Sequence, residues 1–209
     1  TESAWCNMLY DQNTIICTPA KTGSTALEKS GLYKSFDPKH RSILPVWVGN
    51  RRRILTVRHP IVRIFSMWRY LRRVYTPTWG SSAETFDEFL NMMWDERAVE
   101  ISRGLDRPWN GGAKDHRQWV MTLGEYVQQF NPDEIWRMED GHPVSWKKAD
   151  GERISSRHEV DFKSSYESLS DINRACLDDF VTEDVARFNY KQAVDAYSAS
   201  EALVRYDTR

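Results

Sequence analysis

The sequence predicts an α/β fold: a central, mainly parallel sheet flanked by helices. Three observations predict it. Short β-branched and apolar runs at 14–18, 54–57 and 134–138 read as strands, the first two buried. Helical periodicity resumes directly after the first two of these runs, from Ala26 and from Pro60. Strands that alternate with helices need crossover connections, and these favour parallel pairing. The 209 residues suit one domain, with a flap or loop insertion around 140–165.

The first run, 14–18, ends at Pro19, which has no N–H to give a ladder. Lys21, Thr22, Gly23, Ser24 and Thr25 follow as a small, polar, basic turn, and a short helix runs from Ala26 to a stop near Gly31. A strand, a Gly-containing turn and a helix start together make an anion site, because backbone N–H groups there lack internal partners. Gly23 lets the backbone approach an anion closely. The order differs from G-x-x-x-x-G-K-[ST], since Lys21 precedes Gly23 and no glycine lies four to six residues upstream. A nucleoside triphosphatase is therefore disfavoured.

Residues 1–13 read as an irregular lead-in, and 36–45 as a loop with Asp37-Pro38 as its turn signal. Arg51, Arg52 and Arg53 form a basic cluster before the second strand. Arg58-His59-Pro60 ends that strand and starts a helix. Ile61, Phe65, Trp68 and Leu71 mark its inward face, while Ser66, Arg69 and Arg73 share a polar one. A loop spans 76–82 and a helix 83–93. The glycine-rich stretch 103–115 reads as a mobile loop, and 120–130 as helix or strand. After the strand at 134–138 comes the polar flap. A helix or helix pair fills 169–187, with Ile172, Cys176, Phe180 and Val185 inward, and a charged helix closes the chain.

The formal net charge of −1 supplies no global field that would draw nucleic acid. No window approaches 18 uninterrupted apolar residues, so no membrane segment is expected, and no leader is read before Thr1. Cys6, Cys17 and Cys176 are an odd, widely spaced set without metal-ligand spacing, and no Asn-x-Ser/Thr acceptor occurs. Both facts favour a reducing, cytoplasmic setting, with Cys17 in the core.

If the first two strands are neighbours, the Lys21 turn and the Arg58 turn converge on one ligand with two separated phosphates. Thr18-Pro19-Ala20-Lys21-Thr22-Gly23-Ser24-Thr25 resembles the 5′-phosphosulfate loop of sulfotransferases that use 3′-phosphoadenosine 5′-phosphosulfate (PAPS). The stretch from Val57 to Arg69 resembles their 3′-phosphate motif, Arg-Asp-Pro-x-x-Arg-x-x-Ser, with His59 in place of Asp. Asp115-His116-Arg117-Gln118 is similar to a segment of the carbohydrate sulfotransferases. So is Asp179-Phe180 with Phe188-Asn189-Tyr190.

The resemblance implies a P-loop-like three-layer fold and transfer of a sulfuryl group from PAPS to a hydroxyl acceptor, a carbohydrate by the closest pattern. The product nucleotide is 3′-phosphoadenosine 5′-phosphate (PAP), and the family uses no metal. It implies Lys21 at the leaving oxygen; Thr22, Gly23, Ser24 and Thr25 at the 5′-phosphate; Arg58 and Ser66 at the 3′-phosphate; and Ser156 and Arg157 in a loop over the nucleotide. The acceptor hydroxyl needs a base, for which His suits. His40 is the first candidate and His116 the alternative; Glu28 lies a full turn into its helix. Two other readings stay open: a P-loop-type small-molecule kinase, and a nucleotide-binding relative without catalysis.

Overall fold

The computed structural model describes residues 6–41, 49–73, 79–105, 116–140 and 162–190. Its described strands are β1 (Cys6–Tyr10), β2 (Thr14–Thr18), β3 (Lys34–Arg41), β4 (Arg52–Val57) and β5 (Glu134–Arg137). Its helices are α1 (Ser24–Lys29), α2 (Pro60–Leu71), α3 (Phe86–Arg103), α4 (Arg117–Val120), α5 (Leu123–Phe130), α6 (Phe162–Glu167) and α7 (Asp171–Arg187). A 3₁₀ turn, Met138–Asp140, follows β5. The fold is α/β, and no described helix is long and apolar enough to cross a membrane.

The strands lie in the order β3-β1-β2-β4-β5. β4 runs parallel to β2 and β5 parallel to β4, whereas β1 is antiparallel to both β2 and β3. The sheet is thus mixed rather than mainly parallel. The difference comes from the lead-in, whose residues 6–10 form a strand that turns straight back on β2. Asp11 makes that turn by accepting the N–H groups of Asn13 and Thr14, each at 2.7 Å. The 36–45 stretch is also not a plain loop, because β3 continues through it to Arg41. Asn7 faces His40 while Leu9 faces Ser35, so β3 bulges between them. Asp37-Pro38 falls in that bulge, on an edge strand where a missing N–H costs no ladder bond.

Each face of the sheet has its own core. Met8, Ile15, Cys17, Leu55 and Val57 pack beneath Met121, Leu123, Tyr126 and Phe130. Leu9, Ile16 and Ile54 pack against Leu27 of α1 on the other face. A third core is all helix: Phe65, Trp68 and Leu71 of α2 meet Phe86, Phe89 and Leu90 of α3 and Leu177 and Val181 of α7. Thr85 and Glu88 start α3 as a capping box, and Gly104, at φ 85°, ends it, so the helix runs ten residues past the expected Met93. The ambiguous stretch 120–130 is helical from Leu123, capped by Thr122 and Glu125.

In α7 the apolar stripe read from the sequence holds in part: half-buried Phe180 and Val185 pack against the helical core, but Ile172 and Cys176 do not. Ile172 is 76% exposed and Cys176 is exposed, while Asn173, Leu177, Val181 and Asp184 are buried. Polar residues win the inner positions because each satisfies buried partners. Asn173 donates to Asp87 O and Asn91 Oδ1 and accepts from Trp94 Nε1. Asp184 takes the N–H groups of Leu123 and Gly124 at the start of α5, both at 2.6 Å. Cys17 is buried as expected, but it is disulfide-bonded, so the cysteine count no longer argues for a reducing setting.

Candidate active site

β2 and β4 are parallel neighbours, with Ile16 beside Ile54 and Cys17 beside Leu55. Their carboxyl ends therefore open side by side, and the Lys21 and Arg58 turns leave from the same edge. The Lys21 turn is tightly built. Thr22 N–H and hydroxyl both donate to Pro19 O, at 3.1 and 2.7 Å. The hydroxyls of Thr22 and Thr56 share a buried bond of 2.8 Å, which ties the turn to β4. Thr22 is fully buried, so its hydroxyl serves the turn's own structure; Gly23 and Ser24 are partly open. Gly23 has φ 97° and Lys21 φ 67°. Positive φ is ordinary for glycine but strained for lysine, and strain of this kind persists where the surroundings hold it.

What holds it is Arg63, a buried residue of α2. Its Nε donates to Ala20 O at 3.1 Å, Nη1 to Met121 O at 2.9 Å and Nη2 to Gln118 O at 3.2 Å. One guanidinium fork thus clamps the backbone just before Lys21 to α4 and the start of α5. Burial lowers its pKa from the usual arginine value, opposed by Tyr126, Asp184 and Glu125. No role was read for Arg63 in the sequence. Its signal was present: it is the second arginine of the 57–69 motif and stands among the inward residues of α2.

Lys21 sits half-buried with its Nζ 4.5 Å from the centroid of the Tyr70 ring. Burial first, then the charges of Arg58, Arg73 and Arg69 in that order, lower its pKa from 10.5 to about 8. Every group named here acts against the ammonium. Four cations drawn to one end of two parallel strands make a site of high positive potential, suited to a multiply charged anion. Arg58, half-buried, is the residue directly after β4; half-buried Ser66 and Arg69 belong to α2, and Arg73 follows two residues past its end.

His59, where the resemblance expects Asp, is buried at the start of α2 and makes no side-chain cap. A carboxylate still reaches this helix end. Glu139 accepts His59 N–H at 2.8 Å and the Tyr190 hydroxyl at 2.9 Å, and the His59 and Tyr190 rings pack 5.1 Å apart. The 57–69 motif and the closing 188–190 motif thereby meet beside β5. Burial and Glu139 push the Tyr190 phenol well above its ordinary pKa, so it stays a donor.

The two candidate bases differ. His40 lies in β3, its backbone paired with Asn7, which in turn pairs with Thr18. This row ends at the edge from which the Lys21 turn leaves, two strand spacings or about 10 Å across. The His40 side chain lies outside the described residues, as do the Thr25 side chain and the whole of Ser156 and Arg157. His116 caps α4, stacks on Trp79 at 5.4 Å and places Nδ1 3.1 Å from Glu96 Oε1, off the line of a good N–H···O bond. Trp119, three residues on, stacks on Tyr70 at 6.1 Å, so the His116 segment borders the Lys21 wall. Glu28 is partly buried and accepts the Ser35 hydroxyl at 3.1 Å. Among the described residues no group of three or more His, Cys, Asp and Glu side chains is disposed to hold a metal. Comparison of the chain with protein-family models, curated proteins and solved structures returned no match.

Proposed function

We propose that this protein transfers a sulfuryl group from PAPS to a hydroxyl acceptor, with a saccharide as the acceptor class that the sequence resemblance favours. The observation that carries the reading is the convergence of Lys21, Arg58, Arg69 and Arg73 where β2 and β4 end together. PAPS brings a 5′-phosphosulfate and a 3′-phosphate, two anionic ends for two cationic turns. A P-loop-like architecture goes with this reading, because the anion turn follows a strand and leads into a helix over the sheet.

In the reaction the acceptor oxygen attacks sulfur while the bond from sulfur to the bridging phosphate oxygen breaks. PAP leaves with that electron pair, and the acceptor proton passes to a histidine. Lys21 stabilises the charge that builds on the leaving oxygen. Backbone N–H groups at Gly23 and Ser24 hold the 5′-phosphate, and Arg58 with Ser66 the 3′-phosphate. The buried Thr22 hydroxyl keeps the turn in shape. The Cys17 disulfide goes with an oxidising compartment.

The test is transfer from radiolabelled PAPS to a panel of neutral and acidic saccharides, paired with PAP titrations. Lys21→Ala should lower kcat about 100-fold or more while weakening PAP binding far less. Lys21→Arg should rescue only in part, since a planar fork does not put a point charge where an ammonium sat. A Lys21→Ala protein that turns over normally at saturating PAPS removes the catalytic role.

A further inference from the structure

We propose that Tyr70, backed by Trp119, is a positioning residue that holds the Lys21 ammonium in place for sulfuryl transfer. The inference rests on the reading of Lys21 as the residue at the leaving oxygen.

The geometry is a three-part stack. Lys21 Nζ lies 4.5 Å from the Tyr70 ring centroid, within cation–π range. Tyr70 and Trp119 are stacked, with centroids 6.1 Å apart and planes 24° apart. The backbone N–H of Trp119 donates to His116 O at 2.8 Å in α4, the short helix whose Gln118 carbonyl receives Arg63. Tyr70 itself is 44% exposed and belongs to none of the three cores. Core packing therefore does not account for a ring at this place.

The ammonium has reason to need such a shelf. The charged groups acting on it are Arg58 just after β4, Arg69 of α2 and Arg73 just past its end, all of its own sign. Left to these, the flexible lysine stem would swing outward to water. The negative face of an aromatic ring is the one attraction that holds it in without neutralising it. A carboxylate at position 70 would also hold it, but it would repel the phosphosulfate that Lys21 has to meet. The strained backbone at Lys21 and the ring under Nζ thus fix the two ends of one side chain.

The experiment compares wild type with Tyr70→Phe and Tyr70→Leu. Phenylalanine keeps the ring face, and leucine keeps apolar bulk without it. The first readout is the titration of Lys21 by NMR in protein carrying ¹³C-labelled lysine, assigned with Lys21→Arg, in the absence of nucleotide. Tyr70→Leu should move the Lys21 midpoint down by about half a unit, from the loss of a cation–π contact, while Tyr70→Phe leaves it unchanged. The second readout is sulfuryl transfer. Tyr70→Leu should lower kcat about tenfold with PAP affinity near wild type, and Tyr70→Phe should retain activity. A Tyr70→Leu protein with a wild-type Lys21 midpoint and wild-type kcat overturns the inference. If Lys21→Ala also turns over normally, the reading of Lys21 falls first; if only Tyr70→Leu is silent, the positioning role alone falls.

Discussion

Lys21 combines two costs in one residue: a left-handed backbone at φ 67° and an ammonium set among three arginines. Neither helps the fold, and both put positive charge where an anionic ligand would sit. The choice of base is decided at the same scale. His116 has the Glu96 carboxylate 3.1 Å from Nδ1, off the hydrogen-bond line, and its ring is set by the stack on Trp79. His40 stands in the Thr18–Asn7 row at the sheet end. Replacing the true base should cost about 10²–10⁴ in kcat and leave PAP affinity near wild type. Measuring transfer and PAP binding for His40→Ala and His116→Ala separates them. If both histidine variants remain active, neither is the base.

At the scale of elements, the anion turn is an assembly of β2, β4, α2 and α4, held by Thr22 to Thr56 and by Arg63 to three carbonyls. Arg63→Met should leave the Ala20, Gln118 and Met121 carbonyls short of a donor. We expect it to destabilise the protein by at least about 2 kcal/mol in urea unfolding and to weaken PAP binding together with kcat. Unchanged stability would show that the clamp is dispensable. This clamp also shows where the sequence stopped being legible. The turn at 18–25 was readable because strand, proline, glycine and helix start are all local signals. Arg63 was visible as the second arginine of the 57–69 motif, but its role was not, since an arginine among neighbouring arginines reads as solvated until its three carbonyls are brought in from 20, 118 and 121. β1 and the bulged β3 were missed for the same reason: their pairing is long-range, and Asp37-Pro38 signals a turn. The α7 face was misread at Ile172 and Cys176, because Asn173 and Asp184 are inward for hydrogen bonding that hydropathy does not register.

For the whole molecule, a mixed sheet carries helices on both faces and, beside it, a helical core built on α2, α3 and α7. α2 belongs to both parts: its start leaves the end of β4, and its far end carries Arg69, Tyr70 and Arg73 to Lys21. The site therefore lies where sheet and helical core join, and its charge is concentrated there although the chain as a whole is nearly neutral, at −1. The central claim, that this junction receives a nucleotide polyphosphate at Lys21, has a thermodynamic signature. Burial and the three arginines lower the Lys21 pKa to about 8. An anion set against it raises that value, so binding at pH 8 must draw protons from solution, by up to about half a proton. The deciding measurement is calorimetric titration of PAP into the protein at pH 8 in two buffers of different ionisation enthalpy. Saturable binding with proton uptake in wild type, and binding without that uptake in Lys21→Ala, is the predicted result; no binding, or binding whose proton uptake survives Lys21→Ala, contradicts it.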